Sequence, residues 1–175
     1  MSAPRVKPPA VRSSDPIAGS VLAHQPELLR AFRRLYGTLW SRGEVDQFTK
    51  ELARLRNARS VDCPICKATR FAGARQEGLD EATVELIRDG YEASALAPRH
   101  KAVLAWVDAF LHDPAGRHEA LRARLLEHWS PAQLVELTAG VALFMGFSKI
   151  AVSLGGLPDE IPVHVQPTPD VPDGA

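Results

Sequence analysis

Apolar residues recur at three- and four-residue spacing through most of the chain, the period of a helix that turns one face to a core. Leu28, Leu29, Phe32, Leu35, Tyr36 and Leu39 form the first such stripe, with Gly43 just beyond it, and Phe48, Leu52 and Leu55 mark a second. A third helix is expected from about Cys63 to Glu77, stopped by Gly78 in the left-handed conformation that glycine adopts at little cost. Asp80 caps a short fourth. Val103, Trp106, Val107 and Phe110 set a fifth from about Pro98 to His112, and Leu121, Leu125 and Trp129 a sixth. The seventh opens on Ser130-Pro131-Ala132-Gln133, a capping box with proline in its first turn, and runs to Gly155-Gly156. It is apolar on nearly all sides, through Leu134, Leu137, Val141, Leu143, Phe144, Met145 and Phe147, so it belongs at the centre of the fold or against a second subunit. With no alternating strand pattern and no repeat of fixed period, the expected class is all-α, about seven helices, forming a homo-oligomer.

Proline placement sets the expected boundaries. Nine of the 14 prolines fall in residues 1–20 and 158–175, the segments poorest in large apolar side chains, which are read as a flexible N-terminal tail and a Pro-rich C-terminal tail. Residues 21–157 are left as one helical domain, in which Pro26, Pro64, Pro98, Pro114 and Pro131 each precede a helical stretch. At 175 residues, 45% hydrophobic and 24% charged, the chain can close a core without metal or disulfides. Its 21 basic residues balance 21 acidic ones with no long block of like charge, which argues against nucleic acid as a partner. The longest clean apolar run, Ala139 to Phe147, is far short of the ~20 residues of a membrane span, so no membrane is expected. No signal-like apolar segment opens the chain, and the expected location is cytoplasmic, where a close cysteine pair is more often catalytic or metal-binding than structural.

That pair is Cys63 and Cys66, placed at the start of the third helix within ELARLRNARSVDCPICKATRFAGARQEG. Unpaired N–H groups and the partial positive charge of a helix N-terminus stabilise a thiolate. Residues three apart share a helix face, so one sulfur can resolve a sulfenic acid or mixed disulfide formed on the other. Arg70, four residues after Cys66, is expected on that same face. Blander readings stand beside these. The cysteines pack as small buried residues, Glu51 is an exposed helix charge paired with Arg54, and Arg70 forms an ordinary salt bridge. Zinc would need two further ligands, which His100 and His112 would supply only through the fold, so no metal and no cofactor is assigned. Tyr36, Trp40, Trp106 and Trp129 read as packing residues, and Glu136 needs a cationic partner such as Lys149 or an arginine of a neighbouring subunit.

At these residues the chain resembles the alkylhydroperoxidase D-like and carboxymuconolactone decarboxylase family, whose redox branch has a glutamate twelve residues before a CxxC and a histidine four after it. Glu51, Cys63 and Cys66 match, and the likeness extends more loosely over about 27–157 through QEGLDEATV and SPAQLVELTAGVALFMGFSKIAVSLG. The resemblance implies a helical homo-oligomer, a trimer or a multiple of it. It also implies catalytic roles for Cys63, Cys66, Glu51 and the residue at position 70. The departure is Arg70 in the histidine's place: arginine holds its protons, so it can pair with the Cys66 thiolate or with Glu51 but cannot relay a proton. Arg70→His is therefore expected to restore a relay and raise turnover. The resemblance implies that Cys66 attacks, whereas the helix dipole alone would favour Cys63. Arg70 tips the expectation toward Cys66, with Cys63, nearest the solvent in the first turn, resolving or exchanging with a partner. The function expected is a thiol-dependent oxidoreductase, a peroxidase or disulfide oxidoreductase acting on a peroxide or a disulfide and reduced by a dithiol protein or a lipoyl group. The alternative is a non-redox helical oligomer, a decarboxylase or isomerase relative or a scaffold, whose cysteines only pack.

Overall fold

A computed structural model describes residues 5–10, 17, 19–155 and 161–172. Among the described residues eight α-helices follow in chain order: α1 (Pro26–Ser41), α2 (Gln47–Ser60), α3 (Pro64–Ala68), α4 (Ala72–Gln76), α5 (Glu81–Glu85), α6 (Pro98–His112), α7 (Glu119–Leu126) and α8 (Pro131–Leu154). The capping expected for the last helix is present in full. The Ser130 hydroxyl accepts from Gln133 N, and the Gln133 side chain accepts from Ser130 N. Gly78 takes the expected left-handed turn at φ 94°, and Asp80 caps α5 through Thr83 N. Gly156 and parts of both expected tails lie outside the described residues.

The expected third helix is instead two short ones. Between α3 and α4 the chain runs extended as β1 (Thr69–Phe71), and β2 (His164–Gln166) lies parallel to it, with Thr69 opposite His164 and Phe71 opposite Gln166. Two three-residue strands carry too little pattern to register as alternation in sequence. Their pairing is decided by a partner 95 residues away, which local periodicity does not contain. The segment after β2 continues along the body: Thr168 Oγ1 accepts from Gly73 N at 2.8 Å, and the Ser41 hydroxyl donates to Pro169 O at 2.5 Å. Gly37 admits the backbone of Asp170 at a distance that a Cβ would obstruct. Val6 N donates to Leu154 O and Arg5 to Ser153 O, laying residues 5 and 6 beside the end of α8.

The centre of the body is α2, which packs most extensively on α6 and α8. It buries Leu52, Ala53, Leu55 and Ala58, and it also buries Thr49, Lys50, Glu51, Arg54 and Asn57. A helix enclosed on both sides needs partners for such groups, because a stranded polar atom or charge costs several kcal/mol or more, and among the described residues Asn57 Oδ1 is left without one. Lys50 Nζ lies 2.8 Å from Glu136 on α8, whose other carboxylate oxygen accepts from Glu44 N and Val45 N. Lys50, not Lys149 or a neighbouring subunit, is thus the partner Glu136 requires. Helix α8 buries Leu137, Gly140, Val141, Phe144 and Ser148 but leaves Val135, Val152 and Leu154 exposed. By length and composition alone it would also cross a membrane, since its charges stand only near its ends. Here it packs on α1, α2, α6 and α7.

Candidate functional site: a disulfide at the mouth of an apolar cavity

The turn from α2 into α3 is tightly specified. Asp62 N donates to Arg59 O and Cys63 N to Ala58 O, a paired helix-ending arrangement that requires a left-handed residue, and Asp62 supplies it at φ 55°. Cys63 therefore arrives as the N-cap of α3, where its Sγ accepts from Cys66 N at 3.3 Å. Pro64 fills the first helical position, as the sequence suggested. Cys63 and Cys66 are joined as a disulfide with Cα atoms 5.2 Å apart. Cys63 is fully buried, at 0% exposed, while Cys66 is half-buried and faces a cavity. Cys63 is thus not the sulfur nearest solvent, because the turn drives it under the end of α2.

The cavity measures about 550 Å³. Phe32, Tyr36, Phe71, Phe144 and Phe147 make its walls chiefly apolar, with Cys66, Arg54, Thr69, Ser148 and His164 as polar points among them. Val21 and Leu22 close one side, and Ile161, His164 and Gln166 of the segment around β2 close another. Burial pushes the Tyr36 hydroxyl up to about 12, so it stays protonated at neutral pH.

The predicted site residues divide into two groups. Arg54 links Glu51 to Cys66, and the disulfide adds Cys63. Its Nε and Nη2 each donate to the Glu51 carboxylate at 2.7 Å, Nη1 donates to Cys66 O at 2.8 Å, and Nη2 also reaches Thr69 O at 2.6 Å. The Glu51–Arg54 pairing expected from sequence is present, but it is not at the surface, since Glu51 is 0% exposed. Burial works against the Arg54 charge, and the Glu51 charge with its hydrogen bonds outweighs it, holding the guanidinium above its ordinary value. Glu51 also accepts from Phe71 N, so α2 is tied to both ends of the segment that carries the cysteines.

Arg70 meets this group only at Thr69 O, which it shares with Arg54. Because α3 stops at Ala68 and Thr69 is extended, position 70 is not one helical turn beyond Cys66. Its guanidinium turns to Glu81 at 2.9 and 3.1 Å and donates to Lys67 O and Thr69 O. The hydrogen bond from Arg70 is the largest cause holding the Glu81 carboxyl below the usual carboxylate range. The salt-bridge reading of Arg70 is the one that matches its surroundings.

Two polar neighbours escaped the sequence reading. The Ser148 hydroxyl lies 3.4 Å from Cys66 Sγ and accepts from Asn57 Nδ2 at 3.3 Å. A serine immediately after the apolar run of α8 and an asparagine on the inner side of α2 were signals that buried polar partners were needed. His164 Nε2 lies 3.2 Å from Thr69 Oγ1, which itself donates to Ile65 O. No local signal pointed to His164. Among the described residues, no three His, Cys, Asp or Glu side chains group closely enough to hold a metal ion.

Residues 26–109 match the model of the carboxymuconolactone decarboxylase family. The chain is similar to that family over this stretch, which is just under half of its length. The match runs from α1 into α6 and includes Glu51, Arg54, both cysteines and Arg70, while Ser148 and His164 lie beyond it. Among curated relatives, two uncharacterized proteins of Mycobacterium tuberculosis, from strains CDC 1551 and H37Rv, are 32% identical over 111 residues. That stretch is 63% of this chain and 39% of theirs, so the chain spans well under half the length of the relatives it matches. The helical fold is shared with solved structures. One is a protein of unknown function from Agrobacterium tumefaciens, with a TM-score of 0.64 and 23% identity over 76% of this chain and 91% of that one. Another is the alkylhydroperoxidase AhpD core of an uncharacterized peroxidase-related protein from Ralstonia eutropha, at 0.67 and 20% over 81% and 79%. A third is an uncharacterized peroxidase-related protein from a Silicibacter species, at 0.67 and 19% over 78% and 72%.

Proposed function

We propose that this protein is a dithiol peroxidase in which Cys66 attacks an apolar hydroperoxide and Cys63 resolves the product. The observation that carries the reading is a disulfide whose half-buried sulfur, Cys66, faces a largely apolar cavity of about 550 Å³. In the reduced protein the Cys66 thiolate attacks the terminal oxygen of ROOH, the O–O bond breaks, and the departing alkoxide takes a proton from water to leave as ROH. Cys66 is then a sulfenic acid. The Cys63 thiolate, stabilised by the Cys66 N–H that caps it, displaces the oxygen, which leaves as water once protonated, and the disulfide forms. An external dithiol, such as a dithiol protein or lipoyl group, attacks the accessible Cys66 sulfur and expels Cys63 as a thiolate. The second thiol of that dithiol then attacks the mixed disulfide, leaving its own disulfide and both cysteines reduced. The peroxidase-related naming of two fold neighbours agrees with this direction.

Glu51, bound twice by Arg54, serves in this reading as the fixed countercharge of the cysteine segment. The reading also places the protein in the cytoplasm, where thiol pools return the disulfide to the dithiol. Exposed Val135, Val152 and Leu154 on α8, with Leu28 and Leu35 on α1, favour assembly with further copies, a trimer or a multiple of it.

The test is thiol counting. The reduced protein, freed of reductant, is mixed with cumene hydroperoxide, and free thiols are counted with time. Two thiols lost per hydroperoxide consumed, with the disulfide regained and Cys66→Ser inert to rapid oxidation, is the expected result. Thiols that persist at the rate of free cysteine would instead favour the non-redox reading, in which the pair only packs.

A further inference from the structure

We propose that Ser148 is the hydrogen-bond donor that holds the Cys66 sulfur as a thiolate, and that Asn57 aims it. The proposal rests on the dithiol reading above and adds the group that activates the attacking sulfur.

The direction of each hydrogen bond follows from donor accounting. In the disulfide, Cys66 Sγ carries no hydrogen, so in its 3.4 Å contact with Ser148 only the serine hydroxyl can donate. Asn57 Nδ2 carries hydrogens and no available lone pair, so it donates to Ser148 Oγ at 3.3 Å. With its oxygen occupied by the amide, the hydroxyl proton is left to point at sulfur. All three groups are enclosed: Asn57 is 0% exposed, Ser148 6%, and Cys66 half-buried. In such a setting a hydrogen bond to an ionised sulfur counts for more than it would in water.

Each sulfur thereby has a donor of its own. Cys63 receives the backbone N–H of Cys66, and Cys66 receives the Ser148 hydroxyl from α8. When the disulfide is reduced, Cys66 gives its proton to water, and the hydroxyl already in place faces the negative sulfur. Ser148 holds the charge and takes up no proton, so activation at this site does not need a histidine at position 70. The Ser148 hydroxyl touches the reacting sulfur and is catalytic in that sense. Asn57 acts through it and is a positioning residue.

The experiment is alkylation of the reduced, full-length protein with iodoacetamide across pH, read separately for the Cys63 and Cys66 peptides by mass spectrometry. In Ser148→Ala the pH midpoint for Cys66 is expected to rise by about one pH unit or more, the loss of one hydrogen bond to a charged group. Its oxidation by cumene hydroperoxide at neutral pH slows roughly tenfold through the smaller thiolate fraction. The Cys63 midpoint stays in place because its donor is backbone. Ser148→Thr, which keeps a hydroxyl, restores Cys66. Asn57→Ala shifts Cys66 the same way by a smaller amount, since the freed hydroxyl can turn to the carbonyl one helical turn back. An unmoved Cys66 midpoint in Ser148→Ala, an equal shift in both cysteines, or no rescue by threonine overturns the proposal. Wild-type protein that consumes no hydroperoxide overturns the dithiol reading instead, while the alkylation profiles still decide the role of Ser148.

Discussion

Replacing Arg54 by methionine tests how the cysteine segment is held. Methionine keeps much of the side-chain volume and removes the charge and four hydrogen bonds: two to Glu51, one to Cys66 O and one to Thr69 O. Glu51 is then a carboxylate at 0% exposure with Phe71 N–H as its remaining donor of those described. Breaking a buried pair by removing one partner costs about 3–5 kcal/mol. For a chain of this size each kcal/mol lowers the midpoint of thermal unfolding by roughly 2–4 °C, so a loss of about 6–20 °C is expected at neutral pH. The stranded carboxyl folds more readily when protonated. The folded variant therefore binds more protons than its unfolded state, and its deficit shrinks as pH falls towards the ordinary carboxylate range. Adding Glu51→Gln to Arg54→Met removes the stranded charge and recovers much of the loss at neutral pH. The assay is thermal unfolding of wild type and both variants in oxidised form at pH 7 and 5, followed by circular dichroism. A midpoint for Arg54→Met within about 2 °C of wild type, or a deficit independent of pH, would refute the reasoning.

Arg70→His is expected to leave hydroperoxide turnover unchanged or lower, contrary to what a helical Cys66–Arg70 spacing suggests, because position 70 faces Glu81. Its thermal midpoint should fall as Lys67 O loses its side-chain donor, Thr69 O one of its two and Glu81 its buried cation, and a rise in steady-state turnover would overturn that assignment. His100 is stacked on Phe48, and burial, with the Arg99 charge second, holds it below the usual histidine range. A base depressed in this way is protonated more readily in the unfolded chain, so its contribution is present above the ordinary histidine value of ~6.5 and is lost as pH falls through and below it. His100→Gln should flatten the stability profile between pH 7 and 5 in urea titrations, and an unaltered slope would count against it.

The helical frame was legible because it is written in local terms: proline at four helix starts, the Ser130 box, the Asp80 cap and the left-handed Gly78 are all short-range signals. The cysteine spacing and Glu51 were likewise visible, since a motif is a local pattern. What escaped was the surroundings that the fold supplies. Glu51 and Arg54 look like an exposed i,i+3 pair until α2 is known to be enclosed by α6 and α8. Arg70 was misplaced because the helix carrying the cysteines breaks at Thr69, where pairing with β2 overrides helical continuation. Ser148 and His164 come to the cavity from 82 and 95 residues beyond Cys66 and Thr69, respectively, and no window of local periodicity spans such distances.

The docking of residues 161–172 bears on the order in which the molecule is made. A nascent chain that has emerged through α8 already holds the helices that enclose α2, along with both cysteines and Ser148. It does not yet have Ile161, His164 and Gln166, which form one side of the cavity, nor the strand that pairs with Thr69–Phe71. During synthesis the helical body can therefore form around an open thiol site, and the wall beside Cys66 is added only when this later segment is released. The cavity is thus completed last, after the scaffold that bears the cysteines is in place.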